Sequence, residues 1–317
     1  MKNLFAPVFL LTIMSACISC NDCISTMPEY LSPYSSPVWH PDGNVLFFNW
    51  VPLINRHKPR GYCKDVEYTY NIDSLGFWRI NKDGTNLKRA LPYALENASW
   101  SPDGKWLAYN YGANIFKIAF DGQNFDTSHI VQLTNNGFGN YKPSWNDTGD
   151  SIYYESSEFG PSGFLKICKM AADGTARKLI GNKGIDTLYS REPCFINPDL
   201  VLHVRGDTIS DHVYAMNANG DKVRKLTKNV SVITGIYHPN YYNNKIYYED
   251  DGVWSCNLDG SNLKELVHYS FLGYSISKDG TIAFVLFDSQ NIDRSHGVIM
   301  FMDENGNHKK QFTFNNY

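Results

Sequence analysis

Short aromatic and β-branched runs recur along this chain, each bounded by polar turns. Val45–Phe48, Leu107–Tyr109, Ile152–Tyr154, Val201–Val204, Ile246–Tyr248 and Ile282–Leu286 are six of them. Their composition predicts β-strands. A turn of fixed character precedes each run. It is clearest as Trp100-Ser101-Pro102-Asp103-Gly104 and repeats as Trp39-His40-Pro41-Asp42-Gly43. Trp145-Asn146-Asp147-Thr148-Gly149 is a looser copy. Later units keep fragments: Phe195-Ile196-Asn197-Pro198-Asp199, His238-Pro239-Asn240-Tyr241 and Ser277-Lys278-Asp279-Gly280. A third run follows in each unit, as in Ile115–Ile118 and Val253–Cys256, and ends at a second turn. Those turns are Asp83-Gly84, Asp121-Gly122, Asp173-Gly174, Asn219-Gly220, Asp259-Gly260 and Asn305-Gly306, 38 to 52 residues apart. Such dipeptides predict two-residue hairpins with positive φ at both turn positions. A basic-apolar strand follows each, for example Leu87–Leu91 and Val223–Thr227.

Four strands per unit and six units predict an all-β fold, a six-bladed β-propeller of four-stranded antiparallel blades. The blades fall at about 36–91, 97–134, 142–180, 191–227, 237–267 and 273–314. The aromatic-Ser-Pro-Asp-Gly turn between first and second strands resembles the TolB-type (WD40-like) propeller repeat, over residues 36–317. The same repeat occurs in propellers of prolyl-oligopeptidase-like enzymes and of some polysaccharide lyases, so the resemblance implies architecture before activity. TolB carries a separate N-terminal α/β domain, for which this chain has no room; that departure bears against a place in the Tol–Pal system. Trp39, Trp100 and Trp145 are expected to fill the wedges between blades. Asp42 and Asp103 read as turn chemistry. The Asp-Gly turns lack the alternating carboxylates of a calcium loop.

Composition and the N-terminus refine this picture. With 43% hydrophobic and 15% aromatic residues, 317 residues supply an ample core. A net charge of −3, with 29 basic and 32 acidic side chains and no basic stripe, excludes nucleic acid as an expected partner. Lys2 and the apolar Leu4–Met14 read as a signal peptide over residues 1–16. Ser15-Ala16-Cys17 and Ile18-Ser19-Cys20-Asn21-Asp22 resemble bacterial lipoboxes, the second as in Bacteroidetes lipoproteins. That resemblance implies lipidation at Cys17, or alternatively at Cys20, and a membrane-anchored tether over 17–35. Cys17, Cys20 and Cys23 imitate part of an iron–sulfur spacing, but lack the following ligand and proline. Cys168 and Cys256 fall in third strands of non-adjacent blades, so free buried thiols are expected. Cys63 and Cys194 are left open.

Strand alternation sends both turn classes to one face and the variable links to the other, where function concentrates on a rigid scaffold. The inner strands begin on that second face. Their first residues, Tyr141-Lys142, Arg191-Glu192, Tyr237-His238 and Tyr274, are therefore expected to ring the channel mouth. The blade-one insertion adds Arg56 and Arg60. Candidate ligand-binding residues are thus Lys142, Arg191, Glu192, Tyr237, His238, Tyr274, Arg56 and Arg60. Smaller loops bring Glu155, Glu158, Asp211, Glu249, Asp250, Asp288 and Arg294. No nucleophile elbow, His-Glu-x-x-His pair or Gly-rich phosphate loop is present. No catalytic residue, cofactor or metal is called for. The expected function is a monomeric, exported, lipid-anchored envelope protein using the propeller as a binding or scaffold module. Its ligand would be a protein, a peptide or a carbohydrate. The alternative is a polysaccharide lyase or hydrolase at the channel mouth, with His238, Arg191, Lys142 and Tyr237 as acid, base and carboxylate partners. Asp73-Ser74-Leu75, Asp186-Thr187-Leu188 and Asp207-Thr208-Ile209 resemble Bacteroidetes O-glycosylation acceptors.

Overall fold

A computed structural model describes residues 33–57, 67–160, 163–180, 189–206, 210–227, 235–270, 272–287 and 297–313. The signal peptide, Cys17, Cys20, Arg60, Cys63, Asp288, Arg294 and two of the three glycosylation-like triplets lie outside them, as does the Arg56 side chain. The strands form six four-stranded antiparallel sheets in chain order, so the fold is an all-β six-bladed propeller. Each sheet is a meander. In blade three, Asn140–Trp145 pairs with Ser151–Ser156, then Lys166–Ala171, then Lys178–Leu179. Blade one adds a hairpin, Leu53–His57 with Glu67–Tyr70, between its second and third strands.

The motif tryptophans fill the wedges between sheets. Trp100 packs on Phe47 of blade one and Phe120 of blade two, with ring centroids at 5.1 and 5.2 Å. Trp145 joins Ala108 and Ile115 of blade two, and Trp39 joins Val285 and Ile299 of blade six. All three are buried. Large aromatics suit these wedges because each removes a wide apolar area from water. Cys168 and Cys256 are buried free thiols, and Cys194 is free and half-buried.

Two turn expectations change. At Asp83-Gly84 only the glycine takes positive φ, at 89°. Gly84 N–H donates to Asn81 O, and Asn81 N–H donates to Thr85 O. This is a three-residue loop, a type I turn closed by a glycine bulge. The Asp83 carboxylate accepts from Thr85 N–H, which stabilises that turn and not the two-residue one. The same bonds recur at Gly174, Gly220, Gly260 and Gly306. The second change is in blade five. His238-Pro239 is not its first turn; Asn243-Asn244 is, with φ of 48° and 62° between the paired Tyr242 and Lys245.

His238-Pro239 belongs instead to a device shared by five blades. Each inner strand has a β-bulge, placing two residues opposite one: Ser36-Pro37, Asn97-Ala98, Lys142-Pro143, Glu192-Pro193 and His238-Pro239. The first residue of each pair has φ between 51° and 55°. Left-handed backbone is costly for these side chains, so the surrounding structure must impose it. Blade six puts Gly273, at 94°, just before its inner strand Tyr274–Ile276.

Candidate functional site

The bulges turn one residue per blade toward the propeller axis. Ser36, Asn97, Lys142, Glu192, His238 and Gly273 all line one axial cavity of about 490 Å³. Pro37, Ala98, Pro143, Pro193, Pro239 and Tyr274 line the same cavity. The ring divides into halves. Blades three to five contribute Lys142, Glu192 and His238; blades six, one and two contribute Gly273, Ser36 and Asn97.

The charged half is internally matched. Lys142 Nζ lies 3.2 Å from Glu192 Oε1 and 3.1 Å from His238 Nε2. His238 Nδ1 lies 2.6 Å from Glu249 Oε2. Glu249 therefore fixes the imidazole tautomer: Nδ1–H donates to its carboxylate, and Nε2 accepts from the lysine. Two of the three Lys142 N–H groups are used, and one remains for the cavity. Arg191 stands behind this row. Its guanidinium donates to Asp211 at 2.5 Å and to Ile236 O at 2.8 Å, touches Glu192 at 3.4 Å and stacks on the Tyr237 ring. Burial disfavours the Arg191 cation, but Glu192 and Asp211 outweigh it and raise its pKa. Burial alone would also raise Glu192; His238, Lys142, the His238 N–H and Arg191 together bring it below its ordinary value.

Carboxylates also tie the blades together. Glu192 N–H donates to Glu155 of blade three at 2.8 Å, and His238 N–H donates to Glu192 of blade four at 2.7 Å. Gly273 N–H, entering blade six, donates to Glu249 of blade five at 3.0 Å. The amides of Glu192, His238 and Gly273 are thus each capped by a carboxylate of the preceding blade, whereas Ser36 N–H donates to the backbone carbonyl of Leu272. Charged acceptors make these among the stronger hydrogen bonds. Tyr274 adds an O–H donated to His238 O at 2.8 Å.

Six of the eight candidate residues are therefore placed. Lys142, Glu192 and His238 meet in the cavity wall, Tyr274 lies beneath them, and Arg191 with Tyr237 supports them from outside. Glu155, Glu249 and Asp211 are buried at strand ends, where the sequence suggested loop positions. Ser36 and Asn97 belong to the ring and were missed; their signal is the residue two before the inter-blade tryptophan's own neighbour, at Ser36-Pro37-Val38-Trp39 and Asn97-Ala98-Ser99-Trp100. His203 is a packing residue. It lies buried beside the Tyr214 ring, and burial pushes its pKa down to about 3. Among the described residues no cluster of three metal-ligating side chains occurs.

Solved structures share this fold. TolB from Acinetobacter baumannii superimposes with a TM-score of 0.57 at 17% identity, over 75% of this chain and 59% of that one. The chain thus spans less than two thirds of that protein's length. A TolB from Agrobacterium tumefaciens gives 0.59 at 16% identity, over 74% of this chain and 86% of its own. An oligogalacturonate lyase from Vibrio parahaemolyticus gives 0.51 at 10% identity, over 89% and 78%. At these identities the likeness establishes the propeller fold alone. No protein-family model matches the chain, and no curated protein matches its sequence.

Proposed function

We propose that this protein is a non-catalytic binding or scaffold module of the bacterial envelope, with its ligand at the channel mouth. The observation that carries this reading is the bulge ring: five strained backbones present side chains to one axial cavity. Strain of that kind persists where surrounding structure holds it, and it gathers at ligand sites. A propeller mouth is also the pre-formed concavity expected of a small-ligand site. In this reading the chain is exported and monomeric, and is anchored through lipid on Cys17, or on Cys20. Palmitate labelling of the Cys17→Ser and Cys20→Ser variants tests the anchor; a wild-type chain without label would remove it.

The site itself is tested by hydrogen exchange of the full chain with and without envelope extract. Slowed exchange at the amides of Lys142, Glu192 and His238 is expected. Unchanged exchange there, with slowing elsewhere, would overturn the location. One observation favours the enzymatic alternative: the His238–Glu249 pair has the geometry of an oriented base. Its remaining nitrogen already accepts from Lys142, which is why binding is preferred. Oligouronide incubated with divalent metal and followed by ultraviolet absorbance of the unsaturated product distinguishes the two; turnover would establish the lyase.

A further inference from the structure

We propose that the channel mouth reads an uncharged sugar unit of a polysaccharide, with aromatic side chains on the same face holding the flanking units. The inference rests on the channel-mouth site above and names its ligand class.

The first argument is charge. Lys142 is paired with Glu192, Arg191 with Asp211 and Glu192, and the His238 ring lies between Glu249 and Lys142. Among the described residues of the cavity an ionic ligand would find no uncompensated partner, and would have to break a matched pair at a desolvation cost. What the cavity offers is mixed hydrogen bonding: one free Lys142 N–H, the Ser36 hydroxyl and the Asn97 amide. The Asn97 side chain donates once, to Asn110 at 2.6 Å, leaving a donor and an acceptor in hand. Hydroxyl groups, which donate and accept, match that set. The neutral half also has the room, because Gly273 has no side chain and Ser36 a small one. The apolar prolines at 37, 143, 193 and 239 suit the C–H faces of a sugar ring.

The second argument is independent of the cavity. Every exposed Phe or Tyr among the described residues lies in a link on the mouth face or at a strand end that meets one. Tyr111 is 76% exposed, at the end of the second strand of blade two, with Phe138, Phe159 and Phe164 in the links that follow. Tyr237 opens the inner strand of blade five, and Tyr269 lies in the link entering blade six. The large exposed side chains of the opposite face are aliphatic: Leu87, Ile130, Val223 and Leu263. The mouth-face aromatics are spread over blades two, three and five around a polar cavity, and no two of these exposed rings stack on each other. A protein-docking surface would favour one contiguous apolar patch; an extended chain of sugar units needs separate platforms.

The test is calorimetry on the full chain with cellohexaose, maltohexaose, mannohexaose and trigalacturonate, each at about 50 and about 500 mM NaCl, roughly a third of and three times physiological ionic strength. Binding of a neutral hexasaccharide is expected, with affinity changing less than about twofold between the two salts, since no ion pair forms. Lys142→Met is expected to weaken it about tenfold. Tyr111→Ala and Phe138→Ala, exposed enough to leave folding untouched, are each expected to weaken the hexasaccharide severalfold. Binding of trigalacturonate alone, steeply reduced by salt, would overturn the neutral-sugar inference and leave the channel-mouth site. So would failure of all neutral probes together with slowed exchange at the mouth amides in envelope extract. Failure of every probe with no slowed exchange would overturn both readings.

Discussion

Glu155 shows how a single buried carboxyl shapes the site. It caps the Glu192 amide from the neighbouring blade and is 6% exposed. Burial pushes its carboxyl up to about 7; the Glu192 amide, Lys142 and Arg191 oppose that, and the Glu192 carboxylate adds to it. An acid whose pKa is higher in the folded state carries no penalty below its unfolded value of about 4.3. Stability is then lost as pH climbs toward the folded value, by on the order of 3 kcal/mol at most. Glu192 has the opposite sign: its depressed pKa adds stability above the unfolded value, which is lost as pH falls below it. Glu155→Gln keeps an acceptor for the amide and removes the charge. Urea unfolding at about pH 4 should show the variant and wild type within about 0.5 kcal/mol, and at about pH 8 should show the variant more stable by roughly 1–3 kcal/mol. A variant less stable at pH 8 would mean that Glu155 works there as a needed anion. Sequence placed Glu155 in a loop and gave no sign of its burial, because its partner lies 37 residues away in the next blade.

At the scale of the element, the bulge is what converts a structural repeat into a site. A regular inner strand would alternate side chains between the two faces of its sheet. The two-against-one pairing breaks that alternation and turns one residue per blade to the axis. Opposite each bulge stands a buried ring: Phe48, Tyr109, Tyr154, His203 or Tyr248. The strands themselves were legible from their apolar runs, and the inner-strand starts from strand alternation. The bulges were not: Pro239 read as part of the later turn, and Pro37 and Pro143 carry no turn signal of their own. Blade two tests the device. It has Ala98 where four blades have proline, with φ of 52° at the preceding Asn97, matching 51° to 55° in the others. Both residues fall outside the strand's paired register. Proline there needs no new backbone shape and restricts the unfolded chain. Ala98→Pro should therefore stabilise the protein by about 0.4–1 kcal/mol in urea unfolding. A loss above roughly 1 kcal/mol would show that blade two's bulge differs from the rest.

For the whole molecule the question is how the ring stays closed. Blade six takes its four strands, ending at Lys310–Gln311, from the last part of the described chain, and blade one takes its own from the first. No strand is shared across that seam. Six repeats were countable in the sequence, but whether first and last would interlock was not, since closure is a contact between ends. It is made by backbone and side chains: Ser36 N–H to Leu272 O at 2.7 Å, Trp39 N–H to Ser275 Oγ at 3.1 Å, and Lys82 to Asp279 at 2.5 Å. Burial alone would raise Asp279, but bonds from Lys82, Ser277 and Thr281 hold its carboxyl well below the usual range. The exposed pair is screened, so it adds little. Apolar packing must then carry the closure, centred on Trp39 against Phe301 at 5.3 Å. Trp39→Ala and Trp145→Ala remove comparable buried rings and should each cost about 3–5 kcal/mol. Their consequences should differ. Trp145 lies at an interior wedge, flanked by further blades on both sides, and its loss should lower global stability while exchange rises evenly around the ring. Trp39 lies at the one seam where the chain's two ends meet, so its loss should open that seam before the rest unfolds. Hydrogen exchange below the unfolding transition should then be fastest in Tyr34–Trp39 and Tyr274–Ile276, ahead of the inner strands of blades three and four. Equal exchange in all inner strands of Trp39→Ala would show that the carboxylate-to-amide caps make the ring one cooperative unit, independent of its seam.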